Sequence, residues 1–173
     1  MEQEHTTIEI DTRLGKRSVD TSRIIEFPRG LVGFETEQRF VLLQIKPGAP
    51  LLVLQSVTSP QLGLLVTEPK CFLDDYEPHV SEAELNVLGL SDLSQAAVLV
   101  TVSIPQGEPA KATLNLTGPI VINHVTCIGL QIPQNDMAGP TRVNLYTLSE
   151  QNTSSETSQG AANTEPEGAA EEK

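Results

Sequence analysis

Short apolar runs separated by proline and glycine repeat along most of the chain. The separators, such as residues 46–50 and 105–110, have the composition of turns, because proline presets φ and glycine permits positive φ. Strict alternation of apolar and polar residues at 112–117 is typical of a strand with one buried face. We therefore predict about ten strands, at residues 6–10, 22–27, 39–45, 51–57, 62–68, 96–104, 112–117, 120–125, 128–132 and 143–148.

The spacing of these strands indicates the fold class. Many short strands joined by turns are typical of antiparallel barrels and sandwiches. Residues 51–57 and 96–104 begin with continuous apolar runs, which predicts strands covered on both faces. We expect an all-β, mainly antiparallel, small barrel-like fold with one short helix.

That helix is predicted near the middle of the chain. Ser81 suits the N-cap and Glu84 follows three positions later, which is the spacing of a capping box. Gly89 suits the left-handed residue that ends a helix. Leu85 and Leu88 are spaced to form the buried stripe. We expect this helix to plug one end of the β structure.

The end of the sequence differs in composition from the rest. Residues 149–173 contain no Val, Ile, Leu, Met, Phe or Tyr, and their six glutamates against one lysine give a net charge of -5, out of -12 for the chain of 173 residues. Such a segment cannot bury enough apolar surface to offset the entropy of ordering it. We predict a β domain at 1–148 and an acidic disordered tail at 149–173.

The acidic charge and the lack of targeting segments argue against several function classes. A chain with this negative charge repels the phosphate backbones of nucleic acids. Acids interrupt its one group of basic residues, which consists of Arg13, Lys16, Arg17 and Arg23. No apolar run approaches the roughly 20 residues of a membrane-spanning helix, and the N-terminus does not resemble a secretory signal. We expect a cytoplasmic monomer that binds neither nucleic acid nor membrane.

Residues with catalytic potential are scattered. His5, His79 and His124 are isolated, and no metal, nucleophile or phosphate-binding motif surrounds them. Cys71 and Cys127 lack CxxC spacing, which predicts two reduced, buried thiols and no disulfide or zinc site. We therefore predict a protein without catalysis, cofactor or metal. The alternative, a small β-barrel enzyme, requires the fold to join a histidine with an acid.

Three acids surround a tyrosine before the predicted helix, at Asp74, Asp75, Tyr76 and Glu77. A calcium loop requires regularly spaced ligands and a turn glycine, which this stretch lacks. One interpretation is a solvated acidic loop. The other is a docking face for a basic protein, in which tyrosine is a favoured residue.

The stretch EFPRGLVGFE contains two of the six aromatic residues of the chain, Phe27 and Phe34. Pro28 is expected to end a strand, and Gly30 and Gly33 permit a turn. We predict that both phenylalanines anchor this loop in the core.

Taken together, these motifs resemble the FliW family of flagellar assembly factors. The resemblance implies a small barrel-like β fold and a partner-switching role in the cytoplasm of flagellated bacteria. Members bind flagellin and also CsrA, a small basic RNA-binding regulator that blocks flagellin translation. Export of flagellin frees the factor to antagonise CsrA. The residues that carry the resemblance are 24–35, 39–45, 51–57, 69–90, 98–105, 112–123 and 129–132.

On charge grounds, we assign Asp74, Asp75, Tyr76 and Glu77 to the CsrA-binding face. The sequence departs from the family after Ile132, since a proline and then a long acidic tail follow. That departure is the basis of an alternative function, a flagellin-specific secretion chaperone without regulation of translation.

Overall fold

A computed structural model describes residues 6–137 and 139–148, which form ten strands and one complete α-helix. The predicted tail at 149–173 lies outside the described residues. The strands are β1 (Thr7–Thr12), β2 (Gly15–Asp20), β3 (Ile25–Glu26), β4 (Arg39–Gln44), β5 (Leu51–Ser56), β6 (Gly63–Thr67), β7 (Ala97–Ser103), β8 (Thr113–Asn123), β9 (Ile128–Gln131) and β10 (Arg142–Asn144), and the helix is α1 (Glu82–Leu88).

Seven strands close into a barrel. Strands β3 to β8 pair in chain order, each antiparallel to the next. Strand β9 lies between β8 and β3 and closes the ring. The closing pair, β9 with β3, is parallel and consists of Glu26 opposite Ile128. Strand β10 pairs with the first half of β8 outside the ring. The predicted all-β, mainly antiparallel, barrel-like fold is confirmed.

The barrel interior is filled by apolar side chains. The rings of Phe27 and Phe40 are fully buried and meet edge to face, with centroids 5.4 Å apart. Leu31, from the loop between β3 and β4, is also buried in this core. The buried members of the interior cluster are Ile25, Phe27, Leu31, Phe40, Leu54, Val66, Leu99, Ile120 and Ile122.

The helix covers the outside of the barrel wall rather than its end. Leu88 of α1 packs with Val121 of β8 and Leu130 of β9. The neighbours of Val121 along β8, Ile120 and Ile122, point into the barrel instead. The prediction that α1 plugs an end is therefore wrong, because the β8–β9 hairpin is apolar on both faces and the helix is needed on its outer face.

The ends of this helix are as predicted. The Ser81 side chain accepts from the Glu84 backbone N–H, and the Glu84 carboxylate accepts from the Ser81 backbone N–H. Gly89 is left-handed, with φ of 68°. Leu88 is fully buried and Leu85 is half-buried. The capping box and the glycine stop thus define the helix from the sequence alone.

Two further elements cover the outer wall. The β1–β2 hairpin packs Ile10 and Val19 on Val41 of β4. Residues 72–76 and the last described residues cover β7 and the first half of β8. Strand β7 is therefore buried on both faces, as its continuous apolar run predicts.

Some strand boundaries differ from the prediction. Strand β2 was not predicted, because only Val19 of that strand is buried and its sequence therefore shows no alternation of apolar and polar residues. Residues 112–117 and 120–125 fall in one strand, β8, whose register with β7 shifts between Leu99, opposite Ile120, and Thr101, opposite Asn115. Segment 22–27 contributes only the short β3, after a 3-10 turn at Thr21–Arg23. Segment 143–148 is a strand only to Asn144, and residues 145–148 are helical.

Candidate protein-binding surface

The loop before the helix is anchored by apolar side chains. Phe72 and Leu73 are half-buried against the outer face of β7 and β8, and Tyr76 is only 9% exposed in the same cluster. The Tyr76 hydroxyl donates a hydrogen bond of 2.9 Å to the backbone carbonyl of Leu116 in β8. Burial raises the pKa of Tyr76 to about 12, so the phenol keeps its proton at neutral pH. The tyrosine therefore fixes the loop to the barrel.

This anchoring turns the acids outward. Asp74, Asp75 and Glu77 are exposed, whereas Tyr76 between them points inward. The ion pairs among residues 6–137 and 139–148 join Lys16 to Glu9 and Asp11, and Lys111 to Glu108, and include none of these three acids. We call residues 74–77 the acidic loop. It presents three carboxylates, and the aromatic ring assigned to the same face lies beneath them.

The chain just after the acidic loop is held by a glutamine. The Gln134 side chain accepts from the backbone N–H of His79 at 2.8 Å and donates to the backbone carbonyl of His79 at 2.9 Å. A side-chain amide thereby pairs with His79 as a neighbouring strand would. The loop is fixed relative to the segment after β9.

A groove of about 730 Å³ lies beside the acidic loop. Its lining adds Glu84 and Asp136 to Asp75 and Glu77 and includes no lysine or arginine. Sequence reasoning missed both additional acids. Glu84 is recognisable only as a capping residue, and Asp136 reaches the groove through the return of the chain after β9, which has no local signal.

The loop between β3 and β4 differs from its prediction at one aromatic residue. Phe27 is fully buried as expected, but Phe34 is 40% exposed, so its assignment to the core is wrong. Leu31 occupies the core position instead. Gly30 and Gly33 have φ of 63° and 85°, as the predicted turn requires. The turn they form exposes the residues between Leu31 and Glu35.

The two histidines among the described residues line different grooves, and each groove also has acidic residues in its lining. Both histidines are exposed. His79 lines the groove beside the acidic loop, and His124 lines a second groove of about 650 Å³. His5 lies outside the described residues. Cys71 is exposed rather than buried, and Cys127 is half-buried, so the prediction of two buried thiols is wrong.

Neither a cluster of metal ligands nor a membrane-spanning helix occurs in the described part of the chain. No group of three or more His, Cys, Asp or Glu side chains among residues 6–137 and 139–148 could hold a metal ion. No helix within those residues is long and apolar enough to cross a membrane.

The chain is similar to known proteins over most of its length. The model of the FliW protein family matches residues 9–145. A flagellar assembly factor FliW from Desulfovibrio desulfuricans is 55% identical over 143 residues, which cover 82% of this chain and 86% of that protein. Another from Leptospira interrogans is 34% identical over 140 residues, covering 80% and 93%.

A solved structure of this family has a similar fold. A crystal structure of the flagellar assembly factor FliW matches with a TM-score of 0.74 at 30% identity, and the match covers 80% of this chain and 97% of that one. The family match extends past Ile132 to residue 145. Residues 133–145, the first part of the segment predicted to depart from the family, therefore lie inside the matched range, whereas the acidic tail at 149–173 lies outside it.

Proposed function

Because the chain belongs to the FliW family of flagellar assembly factors, we propose that it binds flagellin and the translational regulator CsrA in the cytoplasm. Free protein binds CsrA and relieves its block on flagellin translation. Protein that is occupied by unexported flagellin does not bind CsrA, and the block remains. Binding alone performs this function, and it couples flagellin export to flagellin translation.

The acidic loop is the observation that supports CsrA binding. Its three exposed carboxylates are unpaired by any lysine or arginine among the described residues and are held outward by buried Tyr76. Fixed, solvated charges of one sign attract a partner of the opposite sign and raise its association rate. CsrA, as a small basic protein, has the required charge.

The same charge supports antagonism through protein binding rather than through RNA binding. A chain with net charge -12 repels the phosphate backbone of a transcript. It therefore competes for the regulator and not for the transcript. The regulator alone would carry the RNA-binding surface.

Calorimetric titration of the purified protein with CsrA and, separately, with flagellin of the same organism tests this proposal. Each titration is made at two salt concentrations. We expect binding to both partners, with CsrA binding weakened at high salt because exposed charges are screened. Binding to flagellin alone would favour the secretion chaperone without translational control, and binding to neither would refute both functions.

Charge reversal tests the residues assigned to the CsrA face. Asp74→Lys with Asp75→Lys should slow association with CsrA at low salt by about ten-fold or more, since steering depends on local charge. The control for net charge is Glu9→Lys with Asp11→Lys on β1, which changes the net charge equally but also removes the ion pairs of these acids with Lys16. Equal association rates for the two variants would remove the assignment to the acidic loop.

A further inference from the structure

Strand β7 extends beyond the strand that lies on one side of it. Its first three residues pair with β8 on the other side, whereas β6 pairs with β7 at Val100 and Thr101 and then leaves the sheet. In the same register Pro69 would lie opposite Val98, but a proline has no backbone N–H, and Pro69 begins a 3-10 turn instead. In the described part of the chain, no strand pairs with this side of residues 97–99, and we call it the open edge.

The backbone of Val98 points toward the open edge. The Ile132 N–H donates to the Pro119 carbonyl at 2.9 Å, so Pro119 of β8 faces β9. Successive residues of a strand form their backbone hydrogen bonds on opposite sides. Ile120 therefore faces β7, where its partner is Leu99. Because Leu99 faces β8, the N–H and C=O of its neighbour Val98 face the open edge.

The open edge lies in the second groove, which has a volume of about 650 Å³ and is lined by Val98 together with Pro69 and Leu93. The Val98 side chain is half-buried on the outer wall of the barrel, where it packs against both the cluster that contains Tyr76 and the cluster that contains Leu88. The groove thus combines an apolar floor with a strand edge that has no partner strand. Such an edge accepts an extended peptide as an additional strand.

The second groove adjoins the acidic loop, since Tyr76 and Glu77 of that loop also line it. Its other lining residues that can carry charge are Glu68, Lys70 and His124. The two carboxylates thus outnumber the one ammonium group, and the ion pairs of the described residues include neither Glu68 nor Glu77. A basic protein that docks on the acidic loop therefore reaches the entrance of the groove, where a basic side chain would find a carboxylate.

We propose that the open edge binds an extended segment of CsrA, which adds to the sheet as a strand beside Val98 while the acidic loop attracts the basic surface of the same partner. The inference rests on the proposed function and deepens it, because it adds main-chain hydrogen bonds to an attraction between charges. The N–H and C=O of Val98 each gain a partner. The charges then govern how fast CsrA arrives, and the added strand governs how slowly it leaves.

Amide hydrogen exchange followed by NMR tests the added strand. Exchange is measured at Val98 and Leu99, in the free protein and with saturating CsrA. The control is the Glu9 N–H, which lies on a second edge without a partner strand. The Thr21 N–H donates to the Thr6 carbonyl at 2.9 Å, so by the same alternation Glu9 of β1 faces away from β2.

In the free protein, we expect the Val98 and Glu9 amides to exchange at least about ten-fold faster than the Leu99 amide, which is hydrogen-bonded to β8. CsrA should slow exchange at Val98 by about ten-fold or more. Exchange at Glu9 should stay within about two-fold of its rate in the free protein, because β1 lies outside the groove.

Filling the groove provides a second test. Gln95 is exposed and lines the groove, so Gln95→Trp places an indole ring in it. The matched control is Gln61→Trp, at an exposed position before β6 and outside both grooves. Calorimetric titration should show about ten-fold or more weaker CsrA binding for Gln95→Trp, and binding within about two-fold of wild type for the control. Thermal unfolding followed by circular dichroism checks that both variants are folded.

Unchanged exchange at Val98 in the saturated complex would overturn the added strand, and so would equal CsrA binding by the two tryptophan variants. Slow exchange at Val98 in the free protein would also overturn it, because a segment of this chain would then already cover the edge. Failure of the wild type to bind CsrA would instead refute the proposed function, and with it the partner on which this inference rests.

Discussion

Replacement of Tyr76 by phenylalanine separates the anchoring of the acidic loop from its charge. The change removes only the hydroxyl, which donates to the Leu116 carbonyl inside a buried cluster. The ring and the three neighbouring carboxylates remain. The variant therefore isolates the hydrogen bond between the loop and β8.

The magnitude follows from the burial of the tyrosine. Loss of one partner from a buried hydrogen bond costs about 1–3 kcal/mol, because the remaining carbonyl keeps its desolvation penalty. Tyr76 is 9% exposed, so water cannot readily replace the hydroxyl. Tyr76→Ala removes the ring as well, and we expect about 3–5 kcal/mol for it, as for other large-to-small changes of buried aromatic residues.

Urea unfolding followed by circular dichroism measures these changes. The control is Tyr146→Phe, since Tyr146 is the second of two tyrosines and is 56% exposed. The control should change the free energy of unfolding by less than about 0.5 kcal/mol. Equal effects of the two Tyr→Phe changes would refute the anchoring role. Weaker CsrA binding by Tyr76→Phe without loss of stability would show that the hydroxyl contacts the partner.

Two further predictions concern the barrel and its loops. Gly129→Ala should lower the free energy of unfolding by about 1–3 kcal/mol, because the new methyl carbon would lie 2.6 Å from the buried Phe27 ring. In a Phe27→Leu background, urea unfolding should show a smaller loss of stability from the same change. An equal loss in both backgrounds would contradict the clash. Glu37→Gln should destabilise the protein at neutral pH, because hydroxyls of Ser59, Thr58 and Ser56 stabilise the carboxylate and lower the pKa of Glu37 below its ordinary 4.5. Its effect should be complete above pH 4.5 and disappear as the pH falls through the lowered pKa, and a difference from wild type that does not change with pH would exclude this role.

The elements that could be predicted from the sequence are those with strong local signals. The α1 capping box, the glycine that ends α1 and the apolar runs of β4 to β7 lie where local propensity and burial agree. Strand β2 lacks such a signal because its pairing with β1, rather than its own side chains, defines it. The side of the barrel that α1 covers depends on packing between distant residues.

The candidate surface was predictable in charge but not in orientation. Asp74, Asp75 and Glu77 can be recognised as a cluster, whereas the inward direction of Tyr76 depends on a carbonyl of β8, 40 residues away in sequence. Phenylalanine is a residue type that is often buried, so the sequence alone places Phe34 in the core. Its exposure follows from the tight turn that places Leu31 in the barrel instead, which no periodicity indicates.

A cell-free translation assay of the flagellin transcript tests the proposed coupling of flagellin to its own translation. CsrA is added to repress synthesis, followed by the purified protein and then by excess flagellin. We expect that the protein restores synthesis and that flagellin abolishes this recovery. Repression that persists after addition of the protein, or recovery that flagellin does not reverse, would contradict it.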